Sequence, residues 1–149
     1  MNLNENEYII MELIPTKIEN GDIVQLSALK LKGIRLIDRF DYRLDEDKIV
    51  TKEIKNMINY DKNLFTYKKT TKEIMDEFKI WVEDLRILYI DNSYTKNYIE
   101  ELPNDKESIH NYLNIEYSDD VIEKIIKKYN LEPSNYIVDL LYESLIQEI

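Results

Sequence analysis

Hydrophobic positions in the first third of the chain form long runs separated by turn signals, a pattern that predicts strands. The run Tyr8–Ile14 is apolar except for one glutamate, which is typical of a strand buried on both faces of a sheet. An Asn-Gly-Asp turn at 20–22 leads into a second run, Ile23–Lys32, and Gly33 separates it from a third, Ile34–Leu44. Three consecutive strands joined by turns predict an antiparallel meander.

After the meander, apolar residues recur every three or four positions, which indicates amphipathic helices. Thr70 and Glu73 have the spacing of a capping box ahead of such a stripe. The predicted elements are a helix at 52–60, a helix from 70, a strand at 86–90, a helix at 91–102, an ambiguous strand or helical turn at 108–113, a helix at 118–128 and a helix from 133 to the end. This order predicts an α/β fold, with a mixed central sheet flanked by helices, in a single domain over residues 1–149.

Composition excludes several classes of function. The chain has no cysteine, so disulfides, zinc–thiolate sites and thiol nucleophiles are absent. With one histidine and two glycines, neither a histidine-based catalytic centre nor a glycine-rich phosphate loop is expected. The net charge of −10 repels the phosphate backbone of nucleic acids. Because the sequence shows no signal peptide and no apolar run near the ~20 residues of a membrane span, we expect a cytoplasmic protein.

Three acidic residues are candidates for a functional site. Glu12 interrupts an apolar strand, and a buried carboxylate is costly unless it is paired, hydrogen-bonded or bound to a metal. The alternative is a glutamate at a strand end that faces a loop or a lysine. Asp91 follows a second apolar strand, where it either meets a ligand or caps the next helix. Asp139 flanks the apolar stripe of the last helix and either faces a cleft or is exposed.

Four segments also carry a family resemblance. Residues 8–17 are similar to a first strand of the pattern apolar-Asp-x-Glu-Thr-Thr-Gly, and residues 22–31 to a second strand of the type Ile-Ile-Glu-Ile-Gly-Ala-Val. Residues 90–99 are similar to a His-Asn-x-x-Phe-Asp segment with one residue missing, and residues 134–139 have the spacing of a final His-x-x-x-x-Asp motif. In this order the segments resemble the DEDD-type 3′–5′ exonucleases, the proofreading and ribonuclease T group, over nearly the whole chain.

The resemblance implies a ribonuclease H-like fold and two-metal phosphodiester hydrolysis. In that chemistry four carboxylates hold two divalent ions about 3.5–4 Å apart, and a histidine serves as general base. The matching positions in this chain are Glu12, Ile14, Thr95 and Asp139 for the carboxylates and Ser134 for the histidine. Because only two of the four carboxylates remain, no catalytic residues are expected. The candidate metal ligands are Glu12 and Asp139, with Asp91 as a third.

We therefore expect a non-catalytic protein that acts through protein–protein interaction and needs no cofactor. Its acidic runs at 45–47, 100–101 and 119–120 suggest an inhibitor or nucleic-acid mimic, directed at a partner with a basic nucleic-acid-binding groove. Direct nucleic-acid binding is expected to be weak or absent, and a homodimer through the third strand is left open. The alternative is a nuclease: an Mg²⁺- or Mn²⁺-dependent 3′–5′ exonuclease with altered metal ligands, or a chain that grips a nucleotide end at Tyr94 without cutting it.

Overall fold

A computed structural model gives the fold and describes residues 3, 6–16, 21–43, 70–92, 94–134 and 136–149. In chain order the strands and helices are β1 (Glu7–Pro15), β2 (Ile23–Lys32), β3 (Arg35–Arg43), α1 (Thr71–Val82), β4 (Arg86–Tyr89), α2 (Thr95–Ile99), β5 (Lys106–Ser108), α3 (His110–Leu113), α4 (Val121–Tyr129) and α5 (Ile137–Glu148). None of the helices in these ranges combines the length and the apolar character that crossing a lipid bilayer requires.

The five strands form one mixed sheet in the order β3-β2-β1-β4-β5. Strands β1, β2 and β3 pair antiparallel, as the predicted meander requires. Strand β4 pairs parallel with β1, and β5 pairs parallel with β4. The predicted α/β architecture with a helix-flanked mixed sheet is therefore confirmed. Because β1 is the central strand, every one of its residues after Glu7 is buried.

The two faces of the sheet bury two separate hydrophobic clusters. Ile9 and Met11 of β1 pack on one face with Phe78 of α1. Tyr8 and Ile10 pack on the other face with Leu141 of α5. This alternation follows from the two-residue period of a strand, which also places Glu12 on the face covered by α5.

Helix α1 begins as the sequence predicts. The Thr70 side chain accepts a hydrogen bond from the Glu73 amide at 3.1 Å, and the Glu73 carboxylate accepts one from the Thr70 amide at 3.2 Å. This reciprocal pair is a capping box, which satisfies two backbone donors that have no partner inside the helix. The helix predicted at 52–60 lies outside the described residues.

Helix α2 is shorter than the 91–102 segment that the sequence predicts, and it begins at Thr95, after Tyr94 in the N-cap position. The side-chain oxygen of Asn92 accepts hydrogen bonds from the amides of Tyr94 and Thr95, whereas Asp91 is exposed. The helix ends at Ile99, and Pro103 disfavours helical geometry at Leu102, where the sequence predicted the helix to end. The interpretation of Asp91 as the helix cap was therefore wrong.

The ambiguous segment at 108–113 contains both of its predicted alternatives. Strand β5 ends at Ser108, and the short helix α3 begins at His110. Helix α5 begins at Ile137 rather than at the predicted Pro133, since the backbone of Tyr136 is still extended (φ −104°, ψ 103°).

Strand β3 lies at one edge of the sheet and carries an irregularity. Its register with β2 shifts between Lys30 and Leu31, which leaves Ile37 as an extra residue. Such a bulge makes an edge strand a poorer template for pairing with another chain. The homodimer through this strand stays a prediction.

Candidate functional site

A cleft opens at the carboxyl ends of the two central parallel strands, β1 and β4. Its walls come from the second half of β1, the segment after β4, the start of α2, the loop before α4 and the first residue of α5. Ligands of open sheets commonly bind outside the carboxyl ends of the strands. This cleft is the candidate functional site.

Glu12 lies in the wall of the cleft and is 4% exposed. One of its oxygens, Oε1, accepts a hydrogen bond of 2.6 Å from the Gln25 side chain on β2. The other, Oε2, is buried and has no hydrogen-bond partner among the described residues. Burial raises the pKa of Glu12 from 4.5 to about 8, although Gln25, the Arg43 charge and the backbone amides of Val138 and Ile137 oppose that rise. Glu12 therefore carries a proton for much of its time at neutral pH, and its hydrogen-bonded side-chain partner is Gln25 rather than a lysine.

Two arginines of β3 lie on the same face of the sheet as Glu12. Arg43 pairs in register with Gln25, and Arg39 lies four residues earlier on the same strand. The Arg43 guanidinium stacks on the ring of Tyr136 at 3.4 Å from its centroid, and Arg39 lies 4.7 Å from the same ring. Burial lowers the pKa of Arg43, which nonetheless remains a cation at neutral pH. The face that holds the acidic candidates thus also holds two fixed positive charges.

Asp139 is engaged by one of these arginines. Its Oδ1 accepts a hydrogen bond from Arg39 Nη1 at 2.7 Å, and its Oδ2 accepts one from Arg39 Nη2 at 3.3 Å. The same guanidinium donates to Asp41 through Nε at 2.5 Å. Asp139 does not line the cleft and belongs to an ion-pair cluster with β3. The hypothesis that Asp139 faces a cleft and the alternative that it is an exposed helix charge both miss its ion pair with Arg39.

The remaining predicted site residues are dispersed. Ile14 and Thr95 line the cleft and are buried. Ser134 lies outside the cleft lining, where its hydroxyl accepts a hydrogen bond from the Tyr136 amide at 3.1 Å. Asp91 is exposed and does not line the cleft. His110 is also outside the lining, since its Nδ1 lies 2.8 Å from the carbonyl oxygen of Ile115.

The arrangement does not fit a pair of divalent metal ions. Of the three acidic candidates, only Glu12 contributes to the cleft wall. Within the described ranges, no three acidic or histidine side chains lie close enough together to hold a metal ion. A metal ligand must also be deprotonated, which the raised pKa of Glu12 opposes.

Sequence reasoning missed the arginines of β3 and the residues at the rim of the cleft. Arg39 and Arg43 could have been noticed, because three of the four arginines of the chain lie within nine residues of one strand. Residues four apart on a strand share a face. Tyr117 and Asp119 line the cleft from the loop before α4, and no sequence signal connects that loop to β1.

The fold is similar to those of two solved exonucleases. One is exonuclease X in complex with 5′-overhanging duplex DNA, with a TM-score of 0.67 at 11% identity over 94% of this chain and 89% of that one. The other is exonuclease I of E. coli in a zinc-bound complex with single-stranded DNA, with a TM-score of 0.65 at 10% identity over 97% of this chain and 40% of that one. The chain therefore has the ribonuclease H-like fold of the DEDD-type 3′–5′ exonucleases.

Sequence similarity links the chain to bacterial polymerases. It is 24% identical over 144 residues to DNA polymerase III PolC-type of Staphylococcus haemolyticus, a match that covers 87% of this chain and 10% of the polymerase. The PolC-type polymerase of Staphylococcus saprophyticus is 24% identical over 139 residues, again covering 10% of its length. The chain thus spans about a tenth of these relatives. No family model matches it.

Proposed function

We propose that this exonuclease-fold chain is not a nuclease and acts by binding a protein partner. The observation that carries the proposal is the ion pair between Asp139 and Arg39, beside a Glu12 on which the charge of Arg43 also acts. Asp139 is held at two points by Arg39, and Glu12 lies within the field of Arg43. These interactions support the proposal, because a carboxylate engaged by an arginine of the chain is less available to a metal ion.

The protonation of Glu12 supports the same conclusion. Two-metal hydrolysis needs several ionised carboxylates directed at one small volume, so that they can neutralise two divalent ions. Here Glu12, one of the two carboxyl groups in the cleft wall, has its pKa raised to about 8. At pH 7 most molecules therefore carry it as a neutral acid, which is a poor metal ligand.

The neighbouring positions supply no substitute ligands. Ile14 is apolar, and Thr95 offers only a neutral hydroxyl. Ser134 takes the place of the general-base histidine, and a serine hydroxyl does not accept a proton near neutral pH. His110, the one histidine, lies outside the cleft lining with its Nδ1 on a backbone carbonyl.

The surface charge favours a basic partner. The acidic pairs at 100–101 and 119–120 are exposed, whereas the run at 45–47 lies outside the described residues. With a net charge of −10, the chain is suited to steer toward a protein with a basic nucleic-acid-binding groove, as an inhibitor or nucleic-acid mimic does. The same charge opposes tight binding of the chain itself to nucleic acid.

A nuclease assay tests the non-catalytic part of the proposal. Purified protein is incubated with 5′-labelled single-stranded DNA and RNA in Mg²⁺ or Mn²⁺, and we expect no metal-dependent shortening. The variants Glu12→Ala and Asp139→Ala are run beside Asp76→Ala, which removes an exposed carboxylate of α1. Shortening that Glu12→Ala and Asp139→Ala abolish and Asp76→Ala retains overturns the proposal in favour of an active nuclease with altered ligands.

A competition assay tests the partner class. A protein that co-purifies in a stoichiometric complex should be displaced by single-stranded DNA, and its affinity should fall as salt is raised. A complex that resists both treatments contradicts a partner with a basic nucleic-acid-binding groove.

A further inference from the structure

Exposed apolar side chains concentrate where the chain turns from β2 into β3. Ile34 is 55% exposed, Leu36 45% and Ile37 42%. Among the described residues, the one other large aliphatic side chain that is this exposed is Ile80 of α1. Single exposed apolar residues are ordinary, whereas several in one place indicate an interaction surface. Residues Ile34–Asp38, at the free edge of the sheet, are called the edge patch below.

The bulge in β3 sets the spacing of the charged residues in the edge patch. Arg35 and Asp38 pair in register with two residues of β2 that are themselves two positions apart. Arg35 and Asp38 therefore lie on the same face of the sheet, although they are three positions apart in β3. Leu36 pairs with the β2 residue between those two and lies on the opposite face, and Ile37 is the extra residue of the bulge. Two opposite charges thus flank two apolar residues.

The four residues Arg35-Leu36-Ile37-Asp38 are their own complement when two copies run antiparallel. Each Arg35 then faces Asp38 of the second copy, and each Leu36 faces Ile37 of the second copy. Opposite charges and apolar side chains are favourable cross-strand pairs. A regular strand lacks the three-position spacing that the bulge creates, whereas a second copy carries the same spacing in reverse. The edge patch therefore fits a second copy of this chain better than an unrelated strand.

Both charges of the edge patch are available for such a contact. Arg35 pairs in register with Lys32, a like charge, and forms no ion pair with any described residue. The exposed Asp38 carboxylate accepts hydrogen bonds from Trp81 Nε1 at 2.9 Å and from the Arg39 amide at 2.8 Å. These hydrogen bonds lower the pKa of Asp38, so it is ionised at neutral pH. Since a carboxylate offers about four acceptor positions, Asp38 can still accept from an arginine.

We propose that two copies of this chain dimerise through antiparallel contact of their edge patches, with Arg35 of each copy paired to Asp38 of the other. The contact is small, and a net charge of −10 on each copy opposes it. The dimer is therefore weak and reversible, with a dissociation constant of roughly 10 µM to 1 mM. The inference goes beyond the proposed function and does not depend on it, because the cleft takes no part in the contact.

Sedimentation velocity over a range of protein concentrations tests for the dimer. Between roughly 10 µM and 1 mM, the mean mass should rise from the 18.0 kDa of one chain toward twice that value. Over the same range, NMR of ¹⁵N-labelled protein should show amide shifts at residues 34–38. A chain that stays monomeric at the highest concentration overturns the proposal, as does a dimer whose amide shifts lie outside the edge patch.

Charge reversal tests the register of the pairing. Arg35→Asp and Asp38→Arg each place like charges opposite each other, so each variant alone should be monomeric over this range. In an equimolar mixture, every cross-strand pair again joins an acid to an arginine, and a heterodimer should form about as tightly as the parent dimer. A dimer that persists in either variant alone, or a mixture of folded variants that stays monomeric, overturns the proposed pairing.

A second variant and a matched control complete the test. Because Asp38→Arg also removes the hydrogen bond to Trp81, Leu36→Gln is measured as a variant that keeps both charges. It should raise the dissociation constant at least about tenfold, since symmetry removes two apolar contacts at once, and an unchanged constant overturns the proposal. Lys127→Asp and Glu123→Arg make the same changes in net charge at exposed positions of α4 and should dimerise like the parent protein. Equal loss of the dimer in the α4 and β3 variants overturns the proposal, because association then depends only on net charge.

Discussion

Arg39 and Asp139 are one hundred positions apart in the chain, yet they form a two-point ion pair between β3 and α5, at 2.7 and 3.3 Å. The pair links the edge strand of the sheet to the last helix. Asp139 is also the one position of the exonuclease-like pattern at which this chain has the same acidic amino acid as the pattern. The interaction free energy of this ion pair therefore tests both the structure and the proposed loss of catalysis.

We predict a measurable coupling between these two residues. In a double-mutant cycle of Arg39→Ala and Asp139→Ala, the coupling free energy of unfolding should be about 0.5–1 kcal/mol, because both side chains are about one-third exposed and solvent screens them. Arg39→Lys should lose part of it, since an ammonium group cannot donate at two fixed points. Urea unfolding of the four proteins measures the coupling.

The exposed pair Lys72–Asp76 is the control for this cycle, and its coupling should be smaller, about 0.3–0.5 kcal/mol. Arg39→Ala should also destabilise the protein more than Asp139→Ala does, because Arg39 bonds Asp41 as well. A coupling of zero between Arg39 and Asp139 would show that the pair does not form in solution.

Glu12 should make the protein less stable as pH rises. Its folded-state pKa of about 8 lies above the ordinary 4.5, so between these values the folded chain holds more protons than the unfolded one. The free energy of unfolding then falls with increasing pH, by up to roughly 1.4 kcal/mol per unit from this group. We predict that Glu12→Gln gains stability relative to the parent protein between pH 5 and pH 8, as denaturant unfolding at each pH would show.

Other groups near Glu12 do not obscure this measurement. Arg43, Tyr94, Tyr117 and Asp119 are present in both proteins, so their contributions largely cancel in the difference between the two stability profiles. Parallel profiles for Glu12→Gln and the parent protein would show that Glu12 titrates normally and is exposed to water.

The capping box of α1 gives a local test of the fold. Thr70→Ala should destabilise the protein by about 1 kcal/mol, because the Glu73 amide loses its acceptor. Thr70→Ser should retain most of that stability, since serine offers the same oxygen. Thermal unfolding compares the three proteins. If serine and alanine destabilise equally, the hydroxyl does not act as a cap.

Local features of this fold could be predicted from the sequence because they depend on neighbours in the chain. The Thr70–Glu73 spacing, the apolar run of β1 and the turn at Gly33 each specify a nearby structure. Where two adjacent residues can play the same local role, the sequence pattern does not show which of them does so. Asp91 and Asn92 can both accept backbone amides ahead of a helix, and only the path of the chain after β4 shows that Asn92 accepts those of Tyr94 and Thr95.

The candidate site was harder to predict because its parts are distant in sequence. Glu12 could be identified as unusual from its apolar surroundings, but its partners come from β2, β3 and the start of α5. Asp139 could be identified as half-buried, but an ion pair with Arg39 depends on how α5 crosses the sheet. Tyr117 and Asp119 reach the cleft through a loop, whose path no periodicity predicts.

Anomalous diffraction from a crystal soaked in Mn²⁺ above pH 8, where Glu12 loses its proton, tests the central claim most directly. At this pH Glu12 is deprotonated, so protonation cannot explain weak Mn²⁺ binding. The result then depends on the arrangement of the side chains. We predict no anomalous density in the cleft beside Glu12 and an intact Arg39–Asp139 pair. A manganese peak at bonding distance from the Glu12 carboxylate, with Asp139 released from Arg39, would contradict the account.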